Sequence, residues 1–114
     1  MRPVIVSGAG MIPFERRDDD SLVDMLATAG LKALDDAKFG NRPVDAVYVG
    51  NMASGLFNHQ VSVASALVDR LNLYPAAADR IENGPASGGS AVKNGFLAVS
   101  SGFADAVLVV GGEK

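Results

Sequence analysis

The strongest candidates for a functional site are residues 83–90 (NGPASGGS), which we call the elbow. Ser87 carries a hydroxyl, and Asn83, Gly84 and Gly88 place an amide and adaptable backbone beside it. A turn of this composition that leads into a helix presents backbone N–H groups, and the helix dipole favours negative charge there. We therefore predict that Asn83, Gly84, Ser87 and Gly88 bind substrate.

The sequence offers few candidates for a nucleophile or a base. The chain has no cysteine and a single histidine, His59. Ser87 falls in the first turn of the predicted helix, where a hydroxyl usually satisfies free N–H groups, so it is a weak nucleophile candidate. His59 would need a pocket and a partner to act as a base, and a surface or contact role is the simpler interpretation. One histidine cannot form a histidine metal cluster, and no metal site is predicted.

The charge and composition exclude several classes of protein. The net charge is -3, and the basic residues are scattered among acidic ones, which argues against a nucleic-acid partner. No apolar run approaches the roughly 18 residues that a membrane span needs. The absence of cysteine excludes a disulfide framework and is in keeping with a reducing compartment. We expect a cytoplasmic protein without a membrane segment.

Hydrophobic patterning predicts one layered α/β domain over residues 1–114 with a mostly parallel central sheet. Continuous apolar runs predict buried strands, and recurrence at three and four residues predicts helices. The predicted elements in chain order are a strand at 3–8, a helix at 21–38, a strand at 44–49, a loop at 52–58, a helix at 61–71, a short strand at 79–82, a helix after the elbow, and a strand at 105–110.

The glycines that follow the first predicted strand raise an alternative. Gly8-Ala9-Gly10 resembles the start of a dinucleotide-binding fingerprint, but Pro13 stands where the third glycine belongs. A tight turn leaving the sheet is the simpler interpretation. The chain also stops two residues after Gly112, directly beyond an apolar strand. That position predicts either a fragment or a subunit completed by another chain.

The order of these motifs resembles the N-terminal part of the thiolase superfamily, in particular the sterol-carrier-protein-type and archaeal thiolases. The matching stretches are PVIVSGAGMIPFERR, SLVDMLATAGLKALDDA, DAVYVGNMASG and, most specifically, IENGPASGGSAVKNGFLAVSSGFADAVLVVGGEK. The resemblance covers essentially the whole chain but only about the first third of a typical thiolase. It implies a thiolase-like fold and a coenzyme A thioester as substrate, with no covalently bound cofactor.

The resemblance also implies where the family's chemistry is altered. In thiolases the elbow carries a cysteine that takes the acyl group from coenzyme A, and Pro85 stands at that position here. Proline has neither a nucleophile nor an N–H group. Members without this cysteine resemble CoA-thioester aldolases, which often work with a small OB-type partner chain.

Three functions therefore remain open. The first is a thiolase-like subunit that handles acyl-CoA without a cysteine nucleophile, within a homo- or hetero-oligomer completed by a thiolase-like or OB-type chain. The second is a non-catalytic structural subunit of such a complex. The third is the N-terminal fragment of an acetyl-CoA acyltransferase.

Overall fold

The computed structural model describes residues 1–114 and places one parallel sheet between two layers of helices. The elements in chain order are α1 (Leu22–Asp36), β1 (Ala46–Gly50), α2 (Ser54–Phe57), α3 (Val63–Arg70), β2 (Ala77–Ile81), α4 (Ser87–Ser100) and β3 (Val107–Gly111). The predicted α/β class with a mostly parallel sheet is confirmed.

The sheet has the strand order β2-β1-β3, with β1 in the centre and parallel to both neighbours. All five residues of β1 are buried, which explains why its sequence is apolar without alternation. Asp45, just before β1, fixes the register on both sides. Its carboxylate accepts the N–H groups of Asp105 (2.8 Å) and Ala106 (3.1 Å), and its carbonyl accepts that of Ala77 (2.9 Å). The two N–H groups on the carboxylate hold the pKa of Asp45 below its ordinary value.

Successive side chains of β1 point to opposite faces and enter two separate cores. Val47 and Val49 pack with α1, α3 and β3, in a cluster that includes the fully buried Leu26 and Leu67. Ala46 and Tyr48 face α4 instead. The α4 residues on that side are small, namely Ala91, Gly95 and Ala98, and all three are buried. This flat helix face therefore lets α4 approach the sheet closely.

Helix α1 begins at the predicted serine. The Ser21 hydroxyl accepts the Asp24 N–H at 3.0 Å, and the Asp24 carboxylate accepts the Ser21 N–H at 2.9 Å, which completes a capping box. The Asp24 carboxylate also pairs with Arg70 of α3. The Ser21 N–H group, followed by Arg70, lowers the pKa of Asp24 from 3.8 to about 2. This cap joins the two helices that cover one face of the sheet.

The strand predicted at residues 3–8 does not form, and that prediction is wrong. The segment crosses from the end of α4 to α1. The Arg2 N–H bonds the Ser100 carbonyl at 3.1 Å, and the Ala9 N–H bonds the Asp36 carboxylate at 2.9 Å. It pairs with no strand, and its apolar residues are largely exposed, with Ile5 at 82%. The sheet therefore has three strands instead of the four predicted.

Gly8 and Gly10 allow the N-terminal segment to pack closely against α1 and do not form a dinucleotide-binding turn. A Cβ atom at Gly8 would lie 2.5 Å from the Ala37 nitrogen, and one at Gly10 would lie 2.6 Å from the Ala33 nitrogen. The absence of side chains thus lets this segment lie directly on α1.

The other elements differ from prediction mainly at their ends. The loop predicted at 52–58 contains the one-turn helix α2, and β2 starts at Ala77, two residues before the predicted strand. Helix α3 covers Val63–Arg70 within the predicted 61–71. No helix of the chain combines the length and apolar character required to cross a membrane.

Candidate functional site

An open cleft lies where the carboxyl ends of β1 and β3 meet the elbow. Nine residues line it. Five of them are glycines that expose only backbone: Gly50, Gly84, Gly88, Gly111 and Gly112. The remaining four supply side chains: Met52, Pro85, Ser87 and Glu113. The carboxyl edge of a parallel sheet is the usual ligand position in open α/β folds.

The elbow is held in shape by Ser87. Its hydroxyl donates to the Gly84 carbonyl at 2.6 Å and accepts the Asn83 N–H at 2.9 Å. Only 5% of the residue is exposed. Because both hydrogen-bonding roles of the hydroxyl are taken up within the elbow, Ser87 stabilises the turn. Its assignment as a nucleophile or a substrate contact stays a prediction.

The first turn of α4 leaves backbone donors free. The N–H groups of Gly88 and Gly89 have no acceptor within the chain, while that of Ser87 bonds the Gly84 carbonyl at 3.2 Å. Gly88 lines the cleft, so a donor is available beside Pro85. The positive end of the α4 dipole adds to the attraction for a negatively polarised oxygen.

Pro85 occupies the exposed bend of the elbow and lines the cleft. Two bonds fix the chain around it, from the Ala86 N–H to the Asn83 carbonyl at 3.0 Å and from the Gly84 N–H to the Glu82 carboxylate. The bend thus presents a pyrrolidine ring where a reactive side chain could stand. The ring can contact a ligand but can neither attack it nor donate a hydrogen bond.

Gly50 brings the central strand into direct contact with the elbow. A Cβ atom there would lie 2.8 Å from the Ser87 carbonyl oxygen and 2.9 Å from Gly88 Cα. The carbonyl of Gly50 accepts the Gly112 N–H at 3.3 Å. Direct contact between backbone atoms therefore sets the distance between the elbow and the end of β1.

A network centred on Asn51 and Glu113 supports the opposite wall, which Met52 and Glu113 line. Asn51 is fully buried, and its amide nitrogen donates to Gly112 O at 2.9 Å and to both Glu113 carboxylate oxygens at 3.0 Å. The Glu113 carboxylate also accepts the N–H groups of Met52 (2.7 Å) and Ala53 (3.1 Å). This network ties the end of β3 to the β1–α2 connection.

Arg80 completes that wall from β2. Its Nη1 donates to the carbonyl of Asn51 at 2.8 Å and to that of Met52 at 3.2 Å. Residues from all three strands, or from their carboxyl ends, thus fix the backbone next to the cleft. Ser54 Oγ, buried at the start of α2, has no hydrogen-bond partner.

The predicted site residues divide into two groups. Pro85, Ser87, Gly84 and Gly88 line the cleft together, whereas His59 does not and instead occupies an exposed turn with φ +54°. Asn83 supports the elbow from behind, and its side-chain amide donates to Ser90 Oγ at 3.0 Å.

The sequence did not predict the wall lined by Met52 and Glu113 or its support by Asn51 and Arg80. The available signal was that Asn51 directly follows β1 and Glu113 directly follows β3, since parallel strands bring such ends together. Nowhere do three His, Cys, Asp or Glu side chains gather closely enough to hold a metal ion.

The size of the cleft limits what it holds. Its volume is about 220 Å³. Pockets that enclose a drug-sized molecule measure about 300–1,000 Å³. The cleft therefore accommodates a small group or the end of a longer molecule that continues outside.

The sequence of the chain is similar to that of known proteins. The sequence matches the family described as the thiolase N-terminal domain over residues 4–114. An acetyl-CoA acetyltransferase of Methanothermobacter thermautotrophicus is 42% identical over all 114 residues, which correspond to 30% of that protein. An acetyl-CoA acetyltransferase of Methanocaldococcus jannaschii is 38% identical over the same residues, or 29% of its length. The chain thus spans about a third of the length of these relatives.

A solved structure shares the fold at lower sequence similarity. The 3-oxoacyl-[acyl-carrier-protein] synthase III of Aquifex aeolicus VF5 superposes with a TM-score of 0.78 at 21% identity. The superposition covers 96% of this chain and 35% of the synthase chain. At this identity the likeness concerns the fold alone.

Proposed function

Because the chain belongs to the thiolase family, through its N-terminal domain, we propose that it forms part of a cytoplasmic protein that binds acyl-CoA thioesters at the elbow and processes them without a cysteine acyl-enzyme. The observation that carries the proposal is that Pro85 lines the cleft. By the resemblance to thiolases, this residue stands where that family carries its cysteine nucleophile. The relatives named above as acetyl-CoA acetyltransferases support a CoA thioester as the substrate class.

The cleft suits a thioester in two respects. Its volume of about 220 Å³ matches an acyl group whose much larger CoA portion remains outside. The free Gly88 N–H, at the positive end of α4, is placed to donate to a thioester carbonyl oxygen, which becomes more negative as an enolate develops.

Without a nucleophile, the reaction class that suits this site is carbon–carbon cleavage of a β-hydroxyacyl-CoA. In that reaction a base removes the hydroxyl proton, the bond between the α and β carbons breaks, and the β carbon leaves as an aldehyde or ketone. The electrons of the broken bond pass into the thioester as an enolate, which then takes up a proton to give the shorter acyl-CoA. Donors at the thioester oxygen stabilise the enolate, and no acyl-enzyme forms. The elbow would supply the donor, while none of its described side chains can serve as the base.

The test uses the complete protein, together with any chain that copurifies with it. It is incubated with β-hydroxyacyl-CoA, and separately with β-ketoacyl-CoA plus free CoA. We expect cleavage of the hydroxyacyl substrate and no covalent acyl adduct by intact-mass spectrometry. CoA-dependent cleavage of the ketoacyl substrate would refute the aldolase reaction and favour an ordinary acetyl-CoA acyltransferase.

A second candidate is a non-catalytic subunit that binds a partner, either a thiolase-like or an OB-type chain. The observation that favours it is the outer face of α4 and the turn after it, where Val92, Phe96, Leu97 and Phe103 are between 45% and 69% exposed. Measuring the mass of the complete protein in solution, alone and with candidate partners, discriminates between the two. A stable monomer that cleaves substrate by itself would exclude the structural role.

A further inference from the structure

Met52 is the one long apolar side chain that reaches into the cleft. Its neighbours in the lining are mostly glycines, which add no side chain that could limit the space. Met52 is 41% exposed, so part of it packs against the protein and part faces the opening. Met52 is therefore the long apolar side chain that can limit the space beside the elbow.

The backbone of Met52 is fixed on both sides. Its N–H group donates to the Glu113 carboxylate at 2.7 Å, and its carbonyl accepts from Arg80 at 3.2 Å. Asn51, the preceding residue, is fully buried and bound to the same carboxylate. The side chain thus starts from a rigid point, although methionine itself has three rotatable bonds and adapts its shape.

We propose that Met52 determines which acyl groups fit against the elbow, and that Glu113 and Arg80 act as positioning residues for it. The ligand is the acyl portion of a CoA thioester, so the inference rests on the proposed function. An apolar side chain in contact with an apolar chain discriminates by size. One methylene in such a pocket changes selectivity by about 10–200-fold.

The experiment measures the dissociation constants of acetyl-CoA, hexanoyl-CoA and free CoA by calorimetry on the complete protein. The variants are Met52→Ala and Met52→Phe, with Met11→Ala as the matched control. Met11 is the same residue type, is 81% exposed and does not line the cleft. Met52→Ala should favour hexanoyl- over acetyl-CoA by about 10-fold more than the unaltered protein, and Met52→Phe should shift the ratio about 10-fold the other way. Met11→Ala should stay within about twofold.

Glu113→Gln tests the positioning role without changing the size of any cleft side chain. It should shift the hexanoyl-to-acetyl ratio in the same direction as Met52→Ala but by less. A merely structural effect would weaken all three ligands equally.

The outcomes separate the inference from the function on which it rests. If the unaltered protein binds acyl-CoA but the ratios of both Met52 variants stay within twofold of the Met11→Ala control, the inference is wrong and the function stands. If the unaltered protein binds no acyl-CoA, the proposed function and the inference both fail. Should Met52→Ala not fold, Met52→Phe and Glu113→Gln decide the matter.

Discussion

Replacing Gly50 with alanine tests the direct packing of the central strand against the elbow. The new Cβ atom would lie 2.8 Å from the Ser87 carbonyl oxygen, 2.9 Å from Gly88 Cα and 3.0 Å from the Gly88 nitrogen. All three are backbone atoms, so they cannot rotate away as the end of a flexible side chain could. Either β1 or the elbow must move.

The size of the effect follows from two opposing contributions. Overpacking of a well-packed site costs about 1–3 kcal/mol, and contact with backbone places this site in the upper half of that range. Alanine also restricts the unfolded chain, which offsets about 0.4–1 kcal/mol. We expect the free energy of unfolding to fall by about 1–2 kcal/mol in Gly50→Ala, and acyl-CoA affinity to fall with it because the cleft is displaced.

The assay is urea unfolding of the complete protein, with acyl-CoA binding measured on the same samples. Gly89→Ala is the matched control, since a Cβ atom at Gly89 meets nothing within 4 Å and α4 favours alanine over glycine. The control should be stabilised by about 0.5–1 kcal/mol. The packing argument is refuted if Gly50→Ala is as stable as the control.

Three further predictions concern the elbow, the cleft wall and the α1 cap. Ser87→Ala should lower the free energy of unfolding by about 1–3 kcal/mol, because two part-buried hydrogen bonds of the hydroxyl, with the Asn83 N–H and the Gly84 carbonyl, are lost; a loss of turnover without a loss of stability would instead favour a catalytic role for Ser87. Glu113→Gln should cost about 1–2 kcal/mol by urea unfolding, since the amide cannot accept all the donors that the carboxylate accepts; an unchanged midpoint would contradict this. Asp24→Asn should lower stability at neutral pH. The pKa of Asp24 is lowered in the folded state to about 2. The contribution of this carboxylate to the free energy of unfolding is therefore complete above pH 3.8 and disappears as the pH falls towards 2. Unfolding midpoints of the variant and the unaltered protein should therefore converge in that range, and a constant difference would refute the assignment.

The sequence by itself determined the elements whose cause is local. Apolar recurrence at three and four residues located α1 within the predicted 21–38, and continuous apolar runs located β1 and β3. The family resemblance rested on the elbow–helix–strand block and is confirmed by the match over residues 4–114. The interpretation of Pro85 as an altered centre also came from the sequence alone, and it stays a prediction.

The strand predicted at residues 3–8 shows where a local sequence pattern fails to predict structure. Residues 3–8 have the composition of a buried strand, but a strand exists only where a neighbouring edge accepts its hydrogen bonds. Here the sheet ends at β3 and β2, and the segment bonds to Ser100 and Asp36 instead. These hydrogen bonds depend on the whole fold, so they could not be predicted from a short stretch of sequence.

The cleft wall was also decided only by the tertiary structure. Asn51 and Glu113 are 62 residues apart in sequence, yet a parallel sheet brings them within 3.0 Å because β1 and β3 end side by side. Arg80 joins them from the other neighbouring strand. Thus the elbow could be found by residue type and spacing, since it is continuous in the chain. The opposite wall, which fixes Met52, depends on strand order and register that arise only when the sheet is assembled.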